Sequence, residues 1–201
     1  MKKLILTLFA IVLAVSAFAQ DQHLKFKGIP IDGTLTNYVK ALKNAGYEFI
    51  CQSPDDSGAA LSGTFTNKDV TILVVTTPKT KTVWKVVVFF EDQNDWYSLK
   101  SDYKDLKASL TSKYGQPDPV FEFFSSPYEE GDGYEMTAIW SDKCNYISFF
   151  AVNTDSGNSL GEITVEIAKN ETKGRIALSY EDAANTTLMK SEKEAIVYDD
   201  L

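Results

Sequence analysis

The stretch 95–115, DWYSLKSDYKDLKASLTSKYG, constrains the chain more than any other, because only one kind of element satisfies it. Trp96, Leu99, Tyr103, Leu106, Leu110 and Tyr114 follow one another at steps of three or four residues, which winds a single apolar stripe along a helix with Lys and Asp on the opposite side. Asp95 is placed to cap the N-terminus and Lys113 stands in the last turn, where the helix dipole favours a cation. Gly115 supplies the left-handed residue past the end, and Pro117 forbids continuation. A helix with one apolar stripe must bury it against something, and the segments on both sides read as strands.

Upstream, a turn-rich entry at 28–33 leads to a shorter helix over 34–45, with Leu35, Tyr38, Val39 and Leu42 inward and Gly46 as its stop. Strand candidates follow at 47–51, 61–65, 70–76 and 83–90. The last two flank Thr77-Pro78-Lys79-Thr80-Lys81 and read as an antiparallel hairpin. The unbroken run Val86-Val87-Val88-Phe89-Phe90 marks a central strand with both faces at least partly covered. After Gly115 the pattern begins again, with strand candidates at 120–124, 134–140, 146–152, 162–168 and 175–180. The order is helix then meander, twice. It predicts an α+β fold in which two tandem helix-plus-antiparallel-meander repeats, 20–93 and 94–182, form one mainly antiparallel sheet with helices on one face. Residues 183–201 are expected to close the chain as an acidic tail with room for a short helix.

Compartment is read from the start of the chain. Lys2 and Lys3 precede an apolar run over 4–15, and Ala17-Phe18-Ala19 is a small-x-small cleavage site before Gln20, so 1–19 reads as a signal peptide. The run is shorter than the ~20 residues a spanning helix needs. Gln20 stands where a lipoprotein would have Cys, so the expected product is a soluble periplasmic or secreted protein. Removing two lysines with the leader moves the formal charge from −8 to −10. An acidic chain whose only arginine is Arg175 is a poor partner for nucleic acid or anionic membranes, and a monomer is expected.

The order of elements, the exported context and the stretch Lys113-Tyr114-Gly115-Gln116-Pro117 after a Trp-led helix resemble a known group. They are similar to uncharacterised secreted proteins of Gram-negative anaerobes whose tandem helix-plus-sheet repeats resemble the beta-lactamase inhibitor protein fold. The resemblance covers nearly all of the mature chain and implies a tandem α+β architecture. It carries over no binding residue, because no inhibitor loop is matched.

Few residues invite chemistry. Cys51 and Cys144 are the only cysteines, and in an exported chain a disulfide between them is expected, tying the two repeats together; two buried free thiols are the alternative. His23, the only histidine, lies in a polar start and is expected to be solvated, which removes histidine-based general-base chemistry. Glu129, Glu130 and Asp132 sit in a Gly-rich loop that offers oxygen ligands without the spacing of a calcium-binding loop, so no metal is expected. Asp55-Asp56 and Glu91-Asp92 read as turn acids. There is no G-x-S-x-G and no phosphate-cradling loop, so no cofactor is expected and an enzyme is disfavoured. Trp84, Trp140, Tyr128 and Tyr134 are the aromatic candidates for contact with a partner. The resulting expectation is a non-enzymatic module that recognises a protein through the uncovered sheet face. A small-ligand carrier with a pocket between helices and sheet is the alternative, and a hydrolase using loop carboxylates comes third.

Overall fold

The computed structural model describes residues 23–199; residues 1–22 and 200–201, and with them the leader read at 1–19, lie outside the described residues. A small hairpin of β1 (Lys25–Phe26) and β2 (Ile29–Pro30) precedes α1 (Leu35–Asn44). Thr34 caps α1 by accepting the Asn37 N–H at 3.4 Å, and Leu35, Tyr38, Val39 and Leu42 are its buried residues. A meander of β3 (Glu48–Gln52), β4 (Gly58–Phe65), β5 (Lys68–Thr76) and β6 (Val83–Phe90) follows. The long helix is α2 (Trp96–Tyr114), capped by Asp95, which accepts the Ser98 N–H at 2.7 Å, and closed by Gly115 at φ 91°. Then come β7 (Val120–Phe124), α3 (Glu135–Trp140), β8 (Cys144–Asn153), β9 (Ser159–Asn170), β10 (Lys173–Asp182) and α4 (Ala183–Asp199).

Eight strands form one antiparallel sheet in the order β3-β4-β5-β6-β10-β9-β8-β7. Each half is a four-strand meander. The two meanders meet through their last strands, β6 and β10, so β3 and β7 are the outer edges.

Residues 134–140 are not a strand. Asp132 Oδ1 accepts the Tyr134 N–H at 2.7 Å, buried Glu135 accepts the Gly131 N–H at 2.8 Å, and Ala138 and Ile139 turn inward at helical spacing. Seven residues are too few for alternation to be told from a short helix. With that segment helical, each half contributes four strands.

The helices pack on one face of the sheet. Beneath them lie Ile72 and Val74 of β5, Val86 and Val88 of β6, Ile163 and Val165 of β9, and Ile176 and Leu178 of β10, all 1% exposed or less. Trp96 of α2 meets Phe124 and Tyr146 edge-on, each at 5.0 Å between ring centroids. Tyr103 donates or accepts a buried hydrogen bond with Ser148 Oγ at 2.6 Å, and burial pushes its phenol up to about 12. Gly174 makes close packing possible here: a Cβ on it would run into Leu99 and Ile139, so β10 accepts α2 and α3 only where no side chain intervenes.

The expected tail is instead a 17-residue helix. Its start is fixed by fully buried Asp182, which accepts the Leu24 N–H at 2.8 Å and the Asn185 N–H at 2.9 Å. Asn185 Nδ2 in turn donates to the carbonyls of Ile31 and Val83, so both ends of the chain are tied at one point. Farther along, Glu192 accepts from the Lys79 N–H at 2.6 Å and the Thr80 hydroxyl at 2.5 Å, pinning α4 to the β5–β6 turn. Burial would raise the Glu192 pKa, but these hydrogen bonds outweigh it and hold the carboxyl below its ordinary range. His23, expected to be solvated, is half-buried beside this knot, its Nδ1 3.1 Å from Asp182 Oδ2. Among the described residues no helix is long and apolar enough to cross a membrane.

Candidate binding face of the sheet

The positions that alternate with the core make the other face of the sheet, and the strand register arranges them in rows. One row runs from Phe149 through Thr164, Ser179, Val87, Leu73 and Ala60 to Cys51. Its neighbour starts at the β7 edge with Phe121 and passes through Ile147, Glu166, Ala177 and Phe89. A third holds Glu162, Glu181, Lys85 and Val75.

This face has two chemistries. Toward β7 it is aromatic: Phe121 and Phe123 are 43% and 49% exposed, and Phe121 meets Phe123 and Phe149 with centroids 6.5 and 6.4 Å apart. Toward the middle it is charged. Lys85 Nζ bonds Glu181 Oε1 at 2.7 Å, and the Arg175 guanidinium lies over Phe89, 3.9 Å from the ring centre. Half-buried Glu166, set between Ile147 and Ala177, has its pKa raised by burial, with the charge of Lys85 opposing. Glu162 is raised by burial and then by the charge of Glu181. A carboxylate held this way is poorly hydrated before any partner arrives, so less water has to be removed when a cation meets it.

The four aromatic candidates from the sequence are not gathered on this face. Trp84 is half-buried in β6, with Lys85 Nζ 5.8 Å from its ring. Tyr134 occupies the N-cap position of α3 and Trp140 is its last residue, exposed 61% and 43%, and α3 packs on the helical side. Tyr128 is half-buried in the loop before α3. The aromatics that do line the face had a signal in V-F-E-F-F, where alternation puts Phe121 and Phe123 together, and in β8, where Ile147 and Phe149 alternate with Tyr146 and Ser148.

Cys51 and Cys144 are not joined; both are free thiols. They stand on β3 and β8, six strand positions apart, which at ~4.8 Å per strand is roughly 29 Å, far beyond the ~7 Å limit for a disulfide. Cys144 is half-buried and burial pushes its thiol up to about 12, whereas Cys51 is exposed on the edge strand.

The loop acids diverge to separate partners. Glu130 takes Lys100 and the Tyr146 hydroxyl, Asp132 takes backbone N–H groups of its own turn, and Glu135 points inward. Asp56 accepts from Gln52 at 2.6 Å and Asp92 from Asn170 at 2.9 Å. Among the described residues no three His, Cys, Asp or Glu side chains are grouped to hold a metal ion. Between α2 and the sheet, beside Phe90, Leu106 and Ile176, the free space is only about 120 Å3. A larger hollow of about 490 Å3 lies at the C-terminal end of α2, lined by Phe65, Tyr114, Val152 and Tyr180 with Lys27 and Lys113 among its cations.

In comparisons with known proteins, no family model, no curated protein and no solved structure matches the chain.

Proposed function

We propose that the protein is an exported, non-enzymatic binding module that holds a protein partner on the uncovered face of its sheet. The observation that carries the reading is the aromatic cluster of Phe121, Phe123 and Phe149 beside Ile147: Phe121 and Phe123 are 43% and 49% exposed and Phe149 is half-buried, on the face that the helices leave open. Contiguous apolar surface rimmed by charge is the usual mark of a contact site. Rigid aromatic anchors supply most of the energy at such sites, and the flanking Glu162, Glu166 and Glu181 favour a partner with basic residues at the matching positions.

Affinity capture from the native envelope tests this. The wild-type chain is expected to retain a partner that the double variant Phe121→Ser/Phe149→Ser loses, while Tyr97→Ser, on the outer side of α2 at 78% exposure, keeps it. Retention by the double variant contradicts the reading. Export is tested separately: the mature chain should begin at Gln20, and a mature chain beginning at Met1 would contradict it.

A second reading is supported by the 490 Å3 hollow, which falls in the ~300–1,000 Å3 range of small-molecule sites. Its lining is mixed, with Phe65, Tyr114, Val152 and Tyr180 beside Lys27 and Lys113, which suits an amphipathic ligand with an apolar body and one anionic end. A fluorescent fatty acid should bind with a micromolar Kd that Tyr114→Ala weakens; no binding, or binding indifferent to that change, removes the carrier.

A further inference from the structure

The two edges of the sheet are not equivalent. β3 carries a register shift between Phe49 and Cys51, which breaks its outer row, and it begins and ends in Glu48 and Gln52. β7 has no such protection. Its pairing with β8 is regular from Val120↔Ser148 to Phe124↔Cys144, and four of its five residues are apolar. The bonds from Phe149 N–H to the Pro119 carbonyl and from Ser125 N–H to the Lys143 carbonyl fix the phase of the ladder. Phe121 and Phe123 therefore turn their backbone groups toward β8, and Val120, Glu122 and Phe124 turn theirs outward. Among the described residues, β8 is the only element with substantial contact to β7. Three N–H and three C=O groups on a regular apolar edge are a template for another strand.

We propose that β7 pairs antiparallel with β7 of a second copy about a two-fold axis at Glu122, joining two sheets into one. The sequence V-F-E-F-F is nearly its own reverse, and this is what selects the occupant. About Glu122 the register sets Val120 against Phe124 of the copy and Phe121 against Phe123, so every flanking pair is apolar. All six outward groups of each edge find partners, because the axis passes through a residue whose N–H and C=O both face out. The one like-charge pair, Glu122 on itself, is already neutralised: Lys107 Nζ bonds Glu122 Oε1 at 2.6 Å in each copy. On the open face Phe121 and Phe123 of both copies meet, extending the aromatic cluster across the axis. One strand pair is small beside a standard interface of about 1,200–2,000 Å2, so the dimer depends on concentration. The proposal departs from the monomer expected from the sequence.

The test uses the secreted chain alone, so it is independent of any partner on the open face. Sedimentation from micromolar to millimolar concentration should show the mass rising toward twice the monomer. Over the same range amide exchange at Val120, Glu122 and Phe124 should slow at least tenfold, while Phe121 and Phe123 are slow throughout. Glu122→Pro removes an outward N–H that bonds nothing within the sheet, and should leave a folded monomer. Three results overturn the proposal: a monomer at millimolar concentration, a dimer whose three outer amides still exchange at the dilute rate, or protection of those amides only when another protein is added. Because the exchange is read on the unaltered chain, misfolding of the proline variant does not spare the claim.

Discussion

The two faces of this sheet are built from alternate residues of the same strands, yet they follow different rules. On the covered face the strands offer mainly aliphatic and aromatic side chains, and the hydroxyls of Tyr103 and Ser148 there are paired with each other. On the open face Phe149 and Phe121 share rows with Thr164, Glu166 and Ser179. Core packing demands the first pattern. It does not demand the second, since a sheet face meant only for water has no use for three adjacent phenylalanines. The proposed binding role rests on that excess.

The largest expected effects lie on the covered side. Leu99→Ala empties a site with no exposed surface beside Gly174, and should cost about 3 kcal/mol, seen as a fall in Tm of roughly 6–12 °C. Phe121→Ala on the open face should stay within ~1 kcal/mol of wild type. Equal losses would erase the distinction between the faces. Next comes Asp182→Ala, which strands the N–H groups of Leu24 and Asn185 in the interior and should cost about 2–3 kcal/mol in a denaturant titration. Tyr103→Phe is smaller, about 1 kcal/mol, because it leaves only the Ser148 hydroxyl unpaired.

The smallest effect belongs to the open face and depends on pH. Burial raises the Glu166 pKa, so from the ordinary glutamate value of about 4.3 up to its raised pKa the folded chain holds the proton that the unfolded chain has lost. Stability therefore falls as pH rises through that window, and the penalty is complete above it. Glu166→Gln should remove this slope and raise the neutral-pH midpoint slightly. An unchanged slope, or a lower midpoint, would place Glu166 in a stabilising role and weaken the idea of a carboxylate held ready for a partner.

The elements that were legible in the sequence are those with a long period. Six apolar positions over 19 residues admit nothing but α2, and Val120–Phe124 is bounded by its own composition. The failures share a cause. Residues 134–140 are too few to reveal their period, and α4 lacks a strong apolar stripe, being fixed by Asp182, Asn185 and Glu192 through bonds to residues more than 100 positions away. Cys51 and Cys144 fall on opposite sides of the sheet because the meanders join at β6 and β10, a pairing that no local pattern encodes. The face was hidden for a related reason. Val86–Phe90 is apolar on both sides, and only the packing of the helices decides which side is left open.

The most direct test places a photo-reactive phenylalanine derivative at Thr164, near the middle of the open face and in register with Phe149 and Ser179, and separately at Tyr97 on the outer side of α2. After irradiation of the native envelope, the account predicts a covalent adduct with another protein from position 164 and none from position 97. An adduct from position 97 alone would contradict it.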